Sequence, residues 1–198
     1  VVANMQLEKK LNPDNQVPYM IENYIDFLKV LIGEEEKDFI RLKNNKEPRL
    51  QKLAHSGKDS PWYLYSQSLV FLQSGVVCIK FGEYVSASLD INRAYRILIE
   101  NRDKYPDFAM NKAGLGILHS LIGTVPSKYR WAVRSLQFEG TIPEGNSEIK
   151  EAFVQLSSDP ELSFLLPETA YLLTFVTLNL SSDVPAALAL AENLNTSP

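Results

Sequence analysis

The residues from Phe71 to Ala94 constrain the fold more than any other part of the chain, because they space small and large side chains as a packed helical hairpin requires. Gly75 and Ala87 carry little or no side chain, so two antiparallel helix axes can come close at that level, while Phe71 and Ile91 fill the grooves on either side. Gly82-Glu83-Tyr84 reads as the turn, and Cys78 as a small buried hydrophobe on the first helix. On the second helix Tyr84, Ala87, Ile91, Ala94 and Leu98 form one stripe. Leu89, Ile97 and Ile99 lie off it, which predicts a helix covered on more than one side.

Helical punctuation continues on both sides of this hairpin, with Gly and Pro falling mostly between periodic segments. A short segment ends near Leu11, and a helix from about Pro18 to Ile32 follows, with Tyr24, Phe27, Leu28 and Leu31 as its apolar stripe and Gly33 as its close. Glu34-Glu35-Glu36 suits a helix N-terminus, with Phe39, Ile40 and Leu42 on the buried side. Pro48 restarts a helix through Leu50 and Leu53, and Ser60-Pro61 is a cap with a first-turn proline. Pro106 starts the next helix, which carries Leu115-Gly116 and ends at Gly123. Helices follow from about Pro126 to Phe138, closed by Gly140, and from about Glu144 to Leu156, where Gly145, Ile149 and Ala152 repeat the spacing of Ala87, Ile91 and Ala94. Ala187, Ala191 and Leu194 echo that spacing after a helix holding Tyr171, Phe175 and Leu178.

The expectation is an all-α chain of antiparallel hairpins forming a single helical-repeat domain over 1–198. Within it, irregular helices occupy 1–57, the best-formed hairpin 60–102 and degenerate hairpins 106–195. The pattern from Phe71 and Gly75 through Cys78 to Ala87, Ile91 and Ala94 resembles one tetratricopeptide unit, with Cys78 where that family usually has Tyr. The stretch from Gly114 to Pro126, followed by Tyr129, Trp131, Phe138 and Gly140, looks like a segment of tetratricopeptide-like proteins of Bacteroidota. The resemblance implies a right-handed superhelix whose concave, helix-lined surface holds a protein or peptide, without catalysis, in a bacterial cell envelope or periplasm, the cytoplasm being the alternative. The family's carboxylate clamp is not matched, since Gln73 and Val77 occupy the inner side of the first helix.

Composition narrows the classes of function. With 20 Lys+Arg against 24 Asp+Glu the net charge is −4, which supplies no global field for a polyanion, so nucleic acid is not an expected partner. Cys78 is the single cysteine and cannot form an intramolecular disulfide. Leu162 to Leu180 is the most apolar run, but Pro167, Glu168 and several hydroxyl residues interrupt it, which favours a buried helix over a transmembrane one. The first residue is Val1, so a trimmed chain or a removed leader is expected.

Residues for catalysis or metal binding are sparse. His55 and His119 are the two histidines, neither has another histidine or cysteine near it in sequence, and no metal or cofactor is expected. His119 lies in an apolar helix between Leu118 and Leu121 and reads as a partly buried, hydrogen-bonded side chain. A carboxylate beside it in an open cleft would instead suit a helical hydrolase. No phosphate-cradling loop is present. Trp62-Tyr63-Leu64-Tyr65 can anchor an interface or pack between helices. Lys128, Arg130 and Arg134 form a local basic face against the overall charge. Either Glu144, Glu148 or Glu151 neutralises it, or it binds an acidic protein segment.

Overall fold

The computed structural model describes residues 2–55, 57–130 and 137–195. These residues contain nine α-helices and no strand. The chain divides into two compact units, Val1–Lys104 and Tyr105–Pro198.

The first unit holds α1 (Val2–Leu11), α2 (Val17–Gly33), α3 (Glu36–Leu53), α4 (Pro61–Lys80) and α5 (Tyr84–Lys104). Ser60 caps α4, its hydroxyl accepting from the Trp62 N–H at 3.3 Å, with Pro61 in the first turn. At the other end Gly82 turns left-handed at φ 76°. The Glu83 N–H then reaches the Cys78 carbonyl at 2.8 Å and the Gly82 N–H the Ile79 carbonyl at 3.1 Å, which closes the last turn and sends the chain back along α5. A Cβ on Gly75 would lie 2.7 Å from Ile91 Cγ1 and 3.3 Å from the Ala87 carbonyl oxygen, so the absent side chain sets how closely α4 and α5 approach.

Two apolar clusters stand out among the described residues of this unit. Val30, Phe39, Leu42, Val77, Cys78 and Ala87 form one, with the Phe39 and Phe81 rings stacked 4.3 Å apart. Leu50, Leu53 and Val70 form the other, with Phe71, Met20 and Tyr19 against them. Each side chain as fully buried as Val30, Val70 or Leu53 contributes about 1.5–3 kcal/mol. Burial holds the Cys78 thiol above its usual range, with the nearby charges of Asp90 and Glu83 adding to it.

Several expectations change here. The buried residues of α2 include Asn23, Asp26 and Val30, whereas Leu28 is exposed, because polar partners on α3 and α4 meet that helix. Ile40 is half exposed, leaving Phe39 and Leu42 as the inward pair among those three. Pro48 lies inside a continuous α3; the carbonyl it leaves unpaired belongs to Asn44, on an exposed part of the helix where water can take the bond. Tyr84 is 69 % exposed and Leu89 is 67 % exposed, so Tyr84 is no part of the hairpin packing and α5 presents an open apolar side.

The second unit holds α6 (Ala109–Gly123), a 3-10 turn (Ser127–Tyr129), α7 (Ile142–Ser157), a second 3-10 turn (Ser163–Leu165), α8 (Leu166–Phe175), a π turn (Val176–Leu180) and α9 (Val184–Asn195). Thr141 caps α7, accepting from the Glu144 N–H at 3.2 Å. A Cβ on Gly116 would lie 2.6 Å from the Gly145 carbonyl oxygen, and one on Gly145 only 2.1 Å from the Gly116 carbonyl oxygen. Here backbone rests on backbone. Ile149, Leu173 and Val176 form the apolar centre of this unit, with Ile117, Ile142 and Phe153 among the residues around them.

The helix expected from Pro106 begins at Ala109 instead, because residues 105–108 form a turn closed by the Phe108 N–H on the Tyr105 carbonyl. Of the helix expected over Pro126 to Phe138, residues 131–136 lie outside the described residues, and Ser127–Tyr129 is a 3-10 turn. The Leu194 side chain also lies outside them. The run Ser163–Leu180 is long and apolar enough to cross a membrane by length and composition, but it passes through 3-10, α and π geometry and is 33 % buried. Tyr171, Phe175 and Leu178 face outward, while Thr169, Ala170, Leu173, Val176 and Thr177 are buried.

Candidate functional site

Residues spaced three and four apart on two helices converge in the first unit. Tyr19, Glu22, Asp26 and Lys29 share one face of α2, and Asn45, Pro48, Arg49 and Lys52 share one face of α3. With Met5 of α1 and Ile25 they line an open cavity of about 420 Å³.

A buried polar network holds one wall of this groove. Arg49 donates to Asp26 Oδ2 at 2.5 Å and to Asn23 Oδ1 at 3.1 Å, and Asn23 donates to Gln73 Oε1 at 2.7 Å. Arg41 meets Asp26 Oδ1 at 3.1 Å. Burial alone would raise the Asp26 pKa, but the Arg49 hydrogen bond and charge, with Arg41 and Asn45, outweigh it and hold the carboxyl below its usual range. The Gln73 Nε2 group is buried without a hydrogen-bond partner among the described residues.

The remaining charges are distributed unevenly. Glu22 pairs with Lys9 at 2.6 Å, and the Lys9 ammonium also stands 3.9 Å from the centre of the Tyr19 ring. Lys52 approaches the same ring at 5.9 Å. Both carboxylates of the groove are therefore matched, whereas Lys29 and Lys52 are exposed and make no ion pair among the described residues. The lining joins surplus positive charge to the apolar surface of Met5, Tyr19, Ile25 and Pro48.

A second polar ladder ties α3 to α4 and α5. Lys46 meets both oxygens of Asp90, at 2.9 and 3.0 Å, and the Ser74 hydroxyl donates to Asp90 Oδ2 at 2.6 Å. Apolar periodicity by itself does not single out Asp26, Arg49 and Asp90. Their signal was helical phase: Lys46 and Arg49 lie three apart, as do Asn23 and Asp26, at spacings that place each pair on one face.

In the second unit, His119 is 6 % exposed and its Nδ1 lies 2.6 Å from Glu148 Oε2. Gly140 presses on it so closely that a Cβ there would lie 2.6 Å from His119 Cα. Glu144 stands four residues before Glu148 on α7, and ligand atoms of His119, Glu144 and Glu148 all lie within 4.8 Å of one another. Two carboxylates at that spacing repel by about 0.2–0.5 kcal/mol unless a cation lies between them. The histidine thus combines burial with an adjacent carboxylate. Glu151 pairs with Lys112 at 3.2 Å, so Glu148 and Glu151 are engaged by α6. Of the basic face, Lys128 and Arg130 are exposed, and Arg134 lies outside the described residues. His55 is exposed, with Nδ1 2.6 Å from the Gln51 carbonyl oxygen.

No family model matches this chain, and neither does any curated protein or solved structure.

Proposed function

We propose that the chain is a non-enzymatic recognition module, and that the groove between α2 and α3 holds an acidic, partly apolar peptide segment. The observation that carries this reading is the pair Lys29 and Lys52, two exposed ammonium groups that make no ion pair among the described residues, beside an apolar lining in a protein of net charge −4. Carboxylates of a peptide would meet these lysines while its apolar side chains cover Tyr19, Ile25 and Pro48. Arg49 is held by Asp26 and Asn23, so that wall is set before a ligand arrives. On this reading the α4–α5 and α6–α7 hairpins are tetratricopeptide-like units. Lys128, Arg130 and Arg134 supply a second, weaker attraction for acidic segments.

Binding of a fluorescein-labelled peptide alternating Leu and Asp, read by anisotropy, tests the proposal. The Lys29→Glu, Lys52→Glu double variant should bind about tenfold more weakly, near 1.4 kcal/mol for the pair. Binding of the wild type should weaken as salt rises. Equal affinity for wild type and variant, or for the matching Leu and Lys peptide, overturns it.

A further inference from the structure

Outside the groove, α6 and α7 bring together three side chains whose chemistry the recognition reading does not use. We infer that His119, Glu144 and Glu148 form a binding site for one divalent transition-metal ion of the zinc class. One imidazole nitrogen and two carboxylate oxygens are donors such an ion accepts. Their atoms already lie within 4.8 Å of one another. A tetrahedral ion with bonds of about 2.0–2.1 Å needs its donors about 3.3 Å apart, so the His119 Nδ1 to Glu148 Oε2 separation of 2.6 Å has to widen by less than about 1 Å.

The surroundings suit this assignment. His119 is anchored in the unit by burial and by the Gly140 backbone lying on its Cα, which gives the site a rigid ligand. The direct backbone contact of Gly116 with Gly145 fixes α7 at the distance where Glu148 reaches the imidazole. Glu144 is exposed and can turn onto the ion by side-chain rotation, leaving the outer side of the ion open to water or a fourth ligand. The ion would replace the direct contact of Nδ1 with Oε2, and it would relieve the repulsion between the two glutamates.

The test is calorimetric titration of the chelator-treated full chain with Zn²⁺, alongside visible absorption of its Co²⁺ form. One ion per chain is expected. Glu144→Gln should weaken binding by about tenfold or more, since even the loss of a group outside the ligand shell has that effect, and metal-free melting should stay unchanged because this side chain is exposed. His119→Gln should abolish binding, and His55→Asn should preserve it. Absence of stoichiometric binding by the wild type overturns the site, leaving His119 and Glu148 as a strut between helices. Full affinity in Glu144→Gln and His119→Gln, or loss of binding in His55→Asn, overturns it as well.

Discussion

The α4–α5 and α6–α7 hairpins solve the same problem, bringing two helices close, with different materials. At Gly75 the nearest neighbour is the branched Ile91 side chain, and the facing backbone stands back at 3.3 Å from where a Cβ would lie. At Gly116 and Gly145 the limiting neighbours are carbonyl oxygens of the facing helix, which move only if the helix moves. The charges differ in the same sense. The first unit buries Arg49 against Asp26 inside a network of amides, while the second sets His119 against a Glu148 that is partly open to water. The comparison teaches that small residues at similar spacing can mark a soft contact or a rigid one, depending on what faces them.

The largest effect expected concerns the buried charges. Arg49→Met leaves Asp26 buried with Arg41 as its remaining cation and should cost about 3 kcal/mol in denaturant melts. Glu148→Gln, at a more open pair, should cost about 1 kcal/mol or less. Reversal of this order would break the contrast between the units. The same network has a pH signature. Because the folded Asp26 pKa lies below its ordinary value, its stabilisation is complete above that value and is lost as pH falls from about 4 towards the folded pKa. Asp26→Asn should flatten the acid limb of the stability curve, and an unchanged limb would assign acid sensitivity elsewhere.

The glycines sharpen the comparison. Gly145→Ala should cost about 2 kcal/mol, since the new methyl group meets backbone and overpacking outweighs the better helix propensity of alanine. Gly75→Ala should cost less, about 1 kcal/mol, because the new methyl group meets one side chain and not a carbonyl oxygen within 3 Å. Ala87→Leu, by contrast, inserts a side chain at a position 2 % exposed and should cost about 1–3 kcal/mol. Equal costs for the two glycine variants would mean that both seams are equally compliant. The smallest effect is kinetic: Cys78 is buried and its thiol pKa raised, so a thiol reagent should label it only as the first unit opens. Rapid labelling under native conditions would contradict that packing.

The all-helical class and the Gly75 to Ile91 approach were legible because small and large residues at helical spacing have few other uses. Ser60-Pro61 and Gly82 marked the ends of α4 for equally local reasons. The groove was less legible. A search for apolar stripes assigns α2 to Tyr24, Phe27 and Leu28, and it passes over Asn23 and Asp26, whose burial depends on Arg49 and Gln73 in other helices. The site in the second unit was hidden by a related limit. Sequence spacing tests a histidine for nearby histidines or cysteines, while the partners of His119 are carboxylates from another helix, 29 residues away in the case of Glu148. Tyr84 and Leu89 fit an apolar pattern and are nonetheless exposed, since periodicity identifies a face without supplying its cover.

The contact of Gly116 with Gly145 carries a thermal consequence. Glycine in a helix gives up more backbone freedom on folding than alanine does, about 0.5–1 kcal/mol per position, and that entropic cost grows in proportion to temperature. Gly116 and Gly145 face each other between α6 and α7, and Gly123 meets the start of α7 at Ile142, against Gly75 alone between α4 and α5. Over Gly116 and Gly145 this cost is about 1–2 kcal/mol and grows by about a tenth for every 30 K of warming, a steady penalty that the close packing of α6 on α7 has to offset.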